Sequence, residues 1–325
     1  MRLVACLFLL FALPALARDP AVVDAQRARA LLDRGAVFID VRKADAYAAG
    51  HVPRARSLSA GYAAFTDRAT DNLMRPDAAS EALSAFGVTL DGAPLVVYGA
   101  RGSSTPYYVA FALAYYGAAD VAVFADGIEA WQDASQPVST EAAAVERTAV
   151  TIRRVRSEML VDLDTLQARR RRHGVQFVDA RSPEEFRGES RGAWRGGHLP
   201  GAVNIPFSAL RDTQAGDGGA AATLALKPRA ELEALFAGLD PRQETIVYCQ
   251  SGGRSAGTYV MLRELGFRNV RMYDGSWREY ANRLDLPAEG VTYFDADGAA
   301  DEIDKLKARI DALEKRLDAA VAARP

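Results

Sequence analysis

The residue types best suited to covalent chemistry lie together in the short segment Cys-Gln-Ser-Gly-Gly-Arg at residues 249–254. An apolar run at residues 244–248 predicts a buried strand before it, and a helical pattern begins at Ser255 and ends before Gly266. Between a strand and a helix, glycines let successive backbone N–H groups turn inward and bind an anion at the positive end of the helix. A thiolate is such an anion, so we interpret Cys249 as reactive. The alternative is a cysteine that only packs in the core.

Cys249 is predicted to be the nucleophile, and the residues around it to bind the substrate. Arg254 is the strongest of these candidates, because a guanidinium is always charged and pairs well with a doubly charged anion. The alternative is that Arg254 forms an ion pair that only stabilises the loop. Arg254 can also do both, binding the substrate and stabilising the loop. The full predicted binding set in the loop is Gln250, Ser251, Gly252, Gly253, Arg254 and Ser255.

The N-terminus has the pattern of a secretory signal peptide over residues 1–17. Arg2 precedes an apolar stretch at residues 3–13, and Ala-Leu-Ala at residues 15–17 is a cleavage pattern. The apolar stretch is shorter than the ~20 residues that span a bilayer, which argues against a membrane anchor. We therefore expect export, with the bacterial periplasm as the predicted location.

Cysteine and histidine usage narrows the chemistry further. The chain has two cysteines, and removal of the predicted signal peptide with Cys6 leaves Cys249 alone in an oxidising compartment. This excludes an internal disulfide and a Cys-x-x-Cys redox pair. The three histidines, His51, His173 and His198, form no pattern of metal ligands, so neither a metal nor a cofactor is predicted.

Composition is that of an ordinary soluble protein. The chain has 325 residues, 49% hydrophobic and 25% charged, and this length predicts about two domains. The formal net charge of −2 gives no long-range attraction to nucleic acid or to an anionic membrane.

Several segments in order show that the chain resembles the two-domain rhodanese sulfurtransferases. In the second half these are Phe-Val-Asp-Ala-Arg-Ser at 177–182, Gly-His-Leu-Pro-Gly-Ala-Val-Asn-Ile-Pro at 197–206, the cysteine loop, and Tyr-Asp-Gly-Ser-Trp at 273–277. A weaker copy fills the first half, with Phe-Ile-Asp-Val-Arg at 38–42, Gly-His-Val-Pro-Arg-Ala at 50–55, Leu-Val-Val-Tyr at 95–98, and Asp126-Gly127 with Trp131. The resemblance covers roughly residues 21 to 290.

Only the second copy carries the thiol. Aligning Val96-Val-Tyr98 with Ile246-Val-Tyr248 places Gly99 where the nucleophile stands in the second copy. We therefore predict that the first domain is catalytically silent, as the resemblance also implies. A different site built on Arg101, Ser103 and Ser104 is the alternative, but no base is evident near these residues in the sequence.

The resemblance implies an α/β fold with two rhodanese-like domains, each a mostly parallel sheet flanked by helices, and a pocket that faces the domain interface. It implies transfer of a sulfane sulfur from a small anionic donor, thiosulfate or mercaptopyruvate, to a thiol or cyanide through a Cys249 persulfide. Arg187 matches an arginine that contacts the substrate in such enzymes; a solvated turn residue is the alternative. The predicted organisation is a signal peptide at 1–17, a silent domain at 21–138, a linker at 139–155, a catalytic domain at 156–290 and an amphipathic helix at 299–323.

The cysteine loop departs from the two-domain patterns Cys-Arg-Lys-Gly-Val-Thr and Cys-Gly-Ser-Gly-Val-Thr, which leaves the donor open. One rival is a cysteine phosphatase or arsenate reductase, but these place five residues between cysteine and arginine, whereas this chain has four. A second rival is a noncatalytic module that only carries persulfide sulfur for a partner. Activity with small donors alone distinguishes that module from an enzyme.

The last segment has a pattern of its own. Apolar residues recur at spacings of three and four from Ile303 to Leu317, and charged residues occupy the other faces. At about three heptads the helix is marginal as an independent coiled coil, so packing back onto the domains is the alternative to homo-oligomerisation.

Overall fold

Two repeats of strands and helices fill this computed structural model, which describes residues 20–190, 192–213 and 223–322. The first repeat contains strands β1 Ala21–Val23, β2 Val37–Asp40, β3 Arg56–Ser57, β4 Leu95–Tyr98 and β5 Val121–Phe124, with helices α1 Ala25–Asp33, α2 Ala44–Ala49, α3 Pro76–Phe86, α4 Thr105–Tyr115 and α5 Gly127–Asp133. The second contains strands β6 Leu160–Val161, β7 Val175–Asp179, β8 Val203–Asn204, β9 Glu244–Tyr248 and β10 Val270–Tyr273, with helices α6 Leu163–Arg170, α7 Pro183–Phe186, α8 Arg229–Leu235, α9 Gly253–Glu264 and α10 Ser276–Ala281. A final helix, α11, covers Ala296–Ala322.

Each repeat forms one five-stranded parallel sheet. The strand orders are β1-β5-β4-β2-β3 and β6-β10-β9-β7-β8, so the two sheets have the same topology. Their inner strands β4 and β9 are almost wholly buried, because parallel sheets are covered by helices on both faces and need continuous apolar runs. The predicted α/β fold with two similar domains is confirmed. In both sheets a loop leaves the carboxyl end of an inner strand, where open α/β sheets bind ligands.

Helices α4 and α9 pack against each other and join the two repeats. Both are buried along most of their length, α4 as a helix that is apolar on nearly every side and α9 through the small and apolar side chains between Ser255 and Leu262. Phe111 of α4 meets Tyr259 of α9 edge to face, with ring centroids 4.9 Å apart. One cluster of buried side chains therefore runs from the first sheet to the second.

A buried arginine also ties the repeats together. Arg211, only 2% exposed, lies in the second repeat, and its guanidinium reaches three groups of the first. It donates to the carboxylate of Asp126 at 2.8 Å, to the hydroxyl of Tyr107 at 2.8 Å and to the carbonyl of Ala125 at 3.1 Å. Charge-assisted bonds of this kind fix the relative position of the two repeats.

The segments between and beyond the repeats differ from regular structure. The connector predicted at 139–155 carries no helix or strand in the structure, apart from an isolated bridge between Ser139 and His51. The final helix begins at Ala296, three residues before the predicted start. The predicted signal peptide lies outside the described residues.

Candidate active site

Cys249 stands directly after β9 in a very short loop. Helix α9 begins at Gly253, two residues earlier than the sequence predicts, and Gly252 is its N-cap. Gly252 has φ +97°, a left-handed conformation that favours glycine, and this turn lets the helix start at once. The N-terminus of α9 therefore lies close to the cysteine.

The sulfur of Cys249 lies among hydrogen-bond donors. The amide of Gly252 donates to Sγ at 3.2 Å. The hydroxyl of Ser255 is 3.5 Å from Sγ and donates to the carbonyl of Gly252 at 2.9 Å. The thiol is free and 1% exposed. Within the described residues, five more loop amides have no acceptor, namely those of Gln250, Ser251, Gly253, Arg254 and Ser255.

The backbone of Cys249 is anchored by the segment that follows β10. Ser276 accepts a hydrogen bond from the amide of Cys249 at 3.3 Å, and the amide of Trp277 donates to the carbonyl of Cys249 at 2.9 Å. Ser276 has φ +52°, which is uncommon and strained for a residue with a Cβ. This strained serine holds the cysteine in place, and sequence reasoning did not identify it.

Arg254 does not point freely into solvent but forms a bidentate ion pair with Glu185. The two nitrogen–oxygen distances are 2.5 and 2.8 Å. Burial lowers the pKa of Arg254, but its hydrogen bonds to Glu185 and the charges of Cys249 and Glu185 outweigh burial and raise that pKa above its usual value, so the guanidinium stays charged. The loop-holding role considered for Arg254 is present in the structure, and its contact with a donor stays a prediction.

The other predicted binding residues take different positions. Gln250 donates from Nε2 to the carbonyl of Gly192 at 2.5 Å. The carbonyl of Ser251 accepts a hydrogen bond from Tyr62 of the first repeat. Arg187 forms an ion pair with Glu189 at 2.8 Å, is 51% exposed, and does not line the cavity at the sulfur.

A cavity of about 250 Å³ opens at Cys249 between the two repeats. The loop forms one wall. The other wall comes from the first repeat, through Tyr62, Ser104 and Thr105. Sequence reasoning considered Ser104 only for a separate site in the first domain and did not identify Tyr62 or Thr105, because their approach to Cys249 depends on how the two repeats dock.

Two titratable groups behind the loop are shifted by burial. Burial raises the pKa of Tyr62, as do the nearby charges of Cys249 and Asp274, so its phenol is a neutral donor. Burial also raises the pKa of Asp274 to about 7. Its Oδ2 accepts from the amide of Leu73 at 2.8 Å, whereas its buried Oδ1 has no partner.

The matching loop of the first repeat has the same backbone turn but other side chains. Gly102 has φ +83°, like Gly252, and the amide of Ile128 donates to the carbonyl of Gly99 at 3.1 Å, as Trp277 does to Cys249. Arg101 pairs with Asp133 at 2.6 Å. Ser103 accepts from the amide of Thr105 at 3.2 Å. These contacts hold the loop and bring no nucleophile to it.

Neither a metal cluster nor a membrane helix is found in the part of the chain that the structure describes. No group of three or more His, Cys, Asp or Glu side chains is arranged to hold a metal ion there. No helix there is long and apolar enough to cross a membrane.

Comparison with known proteins agrees with this geometry. A family model described as a rhodanese-like domain matches two stretches of the chain, residues 24–134 and 162–283. The chain belongs to the rhodanese family. Within this family it is similar to a thiosulfate sulfurtransferase of Corynebacterium glutamicum, with 33% identity over 260 residues that cover 75% of this chain and 81% of the relative. It is also similar to a thiosulfate sulfurtransferase of Azotobacter vinelandii, with 30% identity over 78% of this chain and 90% of that protein.

A solved structure shares the fold of this rhodanese. The anaerobic ergothioneine biosynthesis enzyme of Chlorobium limicola superposes with a TM-score of 0.72 and 23% identity. The match covers 82% of this chain and 69% of the other. At this identity the likeness concerns the fold alone.

Proposed function

We propose that this protein is a sulfurtransferase that moves a sulfane sulfur from a donor such as thiosulfate to a thiophilic acceptor through a persulfide on Cys249. The observation that carries the proposal is the position of Sγ, which accepts the amide of Gly252 and lines a cavity beside unpartnered loop amides. Its membership of the rhodanese family and the names of two relatives, both thiosulfate sulfurtransferases, support the same reaction.

The first half-reaction loads sulfur onto the cysteine. The Cys249 thiolate attacks the outer sulfur of thiosulfate, a new S–S bond forms, and sulfite leaves with the electron pair of the old S–S bond. The loop amides and the N-terminus of α9 stabilise the anionic terminal sulfur of the persulfide. In the second half-reaction an acceptor thiolate or cyanide takes that sulfur and returns the Cys249 thiolate. Neither step requires a metal or an organic cofactor.

The silent first domain is part of the same proposal. Gly99 supplies no nucleophile, and the contacts of Arg101 and Ser103 serve the loop itself. Its contribution to the reaction is the opposite wall of the cavity. Tyr62, Ser104 and Thr105 line the cavity together with the thiol of the second domain. The hydroxyl of Tyr62 already donates to the carbonyl of Ser251, so we assign the hydroxyls of Ser104 and Thr105 to bind the oxygen atoms of the donor.

Mass spectrometry of the purified protein after thiosulfate or mercaptopyruvate treatment tests the proposal. We expect the peptide that contains Cys249 to gain the mass of one sulfur atom, and a thiol or cyanide to remove it. Turnover with these small molecules distinguishes an enzyme from a module that receives sulfur only from a protein partner. Failure to load sulfur from either donor would contradict the proposed reaction.

We also propose that residues 1–17 direct export to the periplasm and are then removed. The pattern of Arg2, the apolar stretch and the Ala-Leu-Ala cleavage pattern supports this. N-terminal sequencing of the protein from the periplasmic fraction should begin at Arg18. A mature protein that keeps Met1 and stays in the cytoplasm would contradict it.

A further inference from the structure

Helix α11 carries an apolar stripe that no part of the described chain covers. Every residue from 303 to 317 is exposed, so the domains do not bury this part of the helix. Its Arg309 lies within electrostatic reach of Asp67 of the first repeat, and the apolar stripe stays open to solvent. The stripe, here called the α11 seam, repeats at spacings of three and four. Its residues are Ile303, Leu306, Ile310, Leu313 and Leu317, which are 45 to 64% exposed.

The residue types of the seam fit a second helix of the same kind. Read as heptads, the seam has Ile303, Ile310 and Leu317 at position a and Leu306 and Leu313 at position d. Isoleucine at a with leucine at d favours a parallel two-stranded coiled coil. An apolar stripe of this length in water is unfavourable for a lone helix, and a matching helix would bury it.

The charges beside the seam decide the orientation. In the same heptads, Arg309 lies at position g and Glu314 at position e, and both side chains are exposed. In a parallel, in-register pair each g residue meets the e residue five positions later on the other helix. Arg309 of each helix then meets Glu314 of the other, which gives two pairs of opposite charge.

Antiparallel packing brings like charges together. When Leu306 faces Ile310 of an antiparallel partner, Arg309 meets the Arg309 of the other helix and Lys307 meets its Lys307. When the helices shift so that Leu313 faces Ile310, Arg309 meets Arg316. Lys307 then meets Glu314, so attraction and repulsion balance in this register. Among these residues neither antiparallel register gives a net attraction, whereas the parallel register does.

We propose that the α11 seam binds the α11 seam of a second copy of this chain as a parallel, in-register coiled coil. The proposal is independent of the sulfur-transfer reaction, since α11 contributes no residue to the cavity at Cys249. With about three heptads the dimer is weak, so its population depends on protein concentration.

Sedimentation equilibrium of the full mature chain over a wide concentration range tests the association. We expect a reversible monomer–dimer equilibrium in the wild type and a monomer for Ile310→Lys, which places a charge in the seam. Ala308→Lys, at position f on the opposite face, is the matched control and should keep the dimer. A wild type that is monomeric at every concentration, or an Ile310→Lys variant that dimerises like the control, overturns the proposal.

Two further variants test the orientation. In a Cys249→Ser background, Ile303→Cys and Leu317→Cys are mixed in a glutathione redox buffer and the disulfides identified by mass spectrometry. A parallel pair gives only 303–303 and 317–317 links, and 303–317 links overturn it. Glu314→Arg should weaken the dimer by about fivefold through its two ion pairs. Adding Arg309→Glu to that variant should restore the affinity, and no recovery overturns the parallel register.

Discussion

The loops that follow β4 and β9 share one backbone design and differ in a few side chains. Both turn at a glycine with positive φ, both lead into a buried helix at the domain interface, and both are anchored through the carbonyl of their first residue. The second loop has Cys249 and an ion pair between Arg254 and Glu185. At the same positions the first has Gly99, Ser104 and Ala46. The comparison teaches that the fold maintains the turn without the thiol.

The first loop is also closed to a side chain at the position of the nucleophile. A Cβ on Gly99 would lie 2.9 Å from Cγ of Pro106 and 3.2 Å from Cγ2 of Val41. Ala256 stands in the second repeat where Pro106 stands in the first. The first loop therefore has neither a thiol at position 99 nor the space for a cysteine side chain there.

The largest expected effect comes from removing the one thiol. Cys249→Ser should lower turnover with thiosulfate by at least about 10³-fold and abolish sulfur loading, because no other residue supplies the nucleophile. Ser103→Ala in the first loop is the control and should still load sulfur. Steady-state cyanide assays and mass spectrometry measure both. Sulfur loading in Cys249→Ser would break the comparison.

Moving the thiol to the first loop should not restore activity. The double variant Cys249→Ser, Gly99→Cys places a cysteine at the matching position, but Pro106 crowds its Cβ. The first loop also lacks a counterpart of the Arg254–Glu185 pair. We expect turnover as low as in Cys249→Ser alone. A persulfide on the new cysteine would show that the thiol alone accounts for the difference in sulfur loading between the two loops.

The ion pair behind the loop should matter less than the thiol but more than a surface pair. Arg254→Lys loses the bidentate geometry with half-buried Glu185, which costs about 2 kcal/mol, so kcat/KM should fall about 30-fold. Arg242→Lys, whose pair with Asp240 is exposed, is the matched control. Equal, small losses in the two variants would mean that the Arg254 pair does not position the loop.

Asp274 should make stability depend on pH in a way that its counterpart Ala125 cannot. Its pKa of about 7 in the folded protein lies above the usual value, so its stabilising effect is full below pH 4 and is lost as pH rises through 7. Between pH 5 and 8 the free energy of unfolding of Asp274→Asn should therefore rise by about 2 to 3 kcal/mol relative to that of the wild type. Urea unfolding at several pH values measures this. Parallel stability curves would contradict it.

The smallest effect concerns Ser276, which matches Gly127 of the first repeat. Ser276→Ala keeps the left-handed strain and loses the hydroxyl that accepts from the amide of Cys249, so it should destabilise by about 1 kcal/mol. Ser276→Gly loses the same bond but relieves the strain, so its loss should be smaller. Urea unfolding of the two variants checks the order, and the reverse order would exclude the strain.

Local sequence patterns predicted the buried strands and the turns that follow them. Continuous apolar runs before Gly99 and Cys249 predicted the buried parallel strands, and the glycines after them predicted the turns. The likeness of the Asp126-Gly127 and Asp274-Gly275 pairs suggests that Gly127 matches Gly275, and this alignment is wrong by one residue. By hydrogen bonding, Gly127 corresponds to Ser276, because the fold conserves the positive φ of this position and not the residue type.

Contacts between distant residues could not be predicted from the sequence. Glu185 is 69 residues from Arg254, and no periodicity links the two. Tyr62 and Ser104 reach the cavity only because α4 and α9 dock the repeats together. The first-repeat wall of the cavity depends on this docking, whereas the turns after β4 and β9 depend on residues that are neighbours in the sequence.

Both repeats line the cavity at Cys249, so neither repeat forms the complete cavity by itself. A fragment that contained only the second repeat would leave the sulfhydryl of Cys249 without the cavity wall that Tyr62, Ser104 and Thr105 form. In an oxidising solution, peroxide and disulfides would then reach this thiol more easily. The first repeat thus shields the thiol of Cys249, and this shielding gives a reason to retain it.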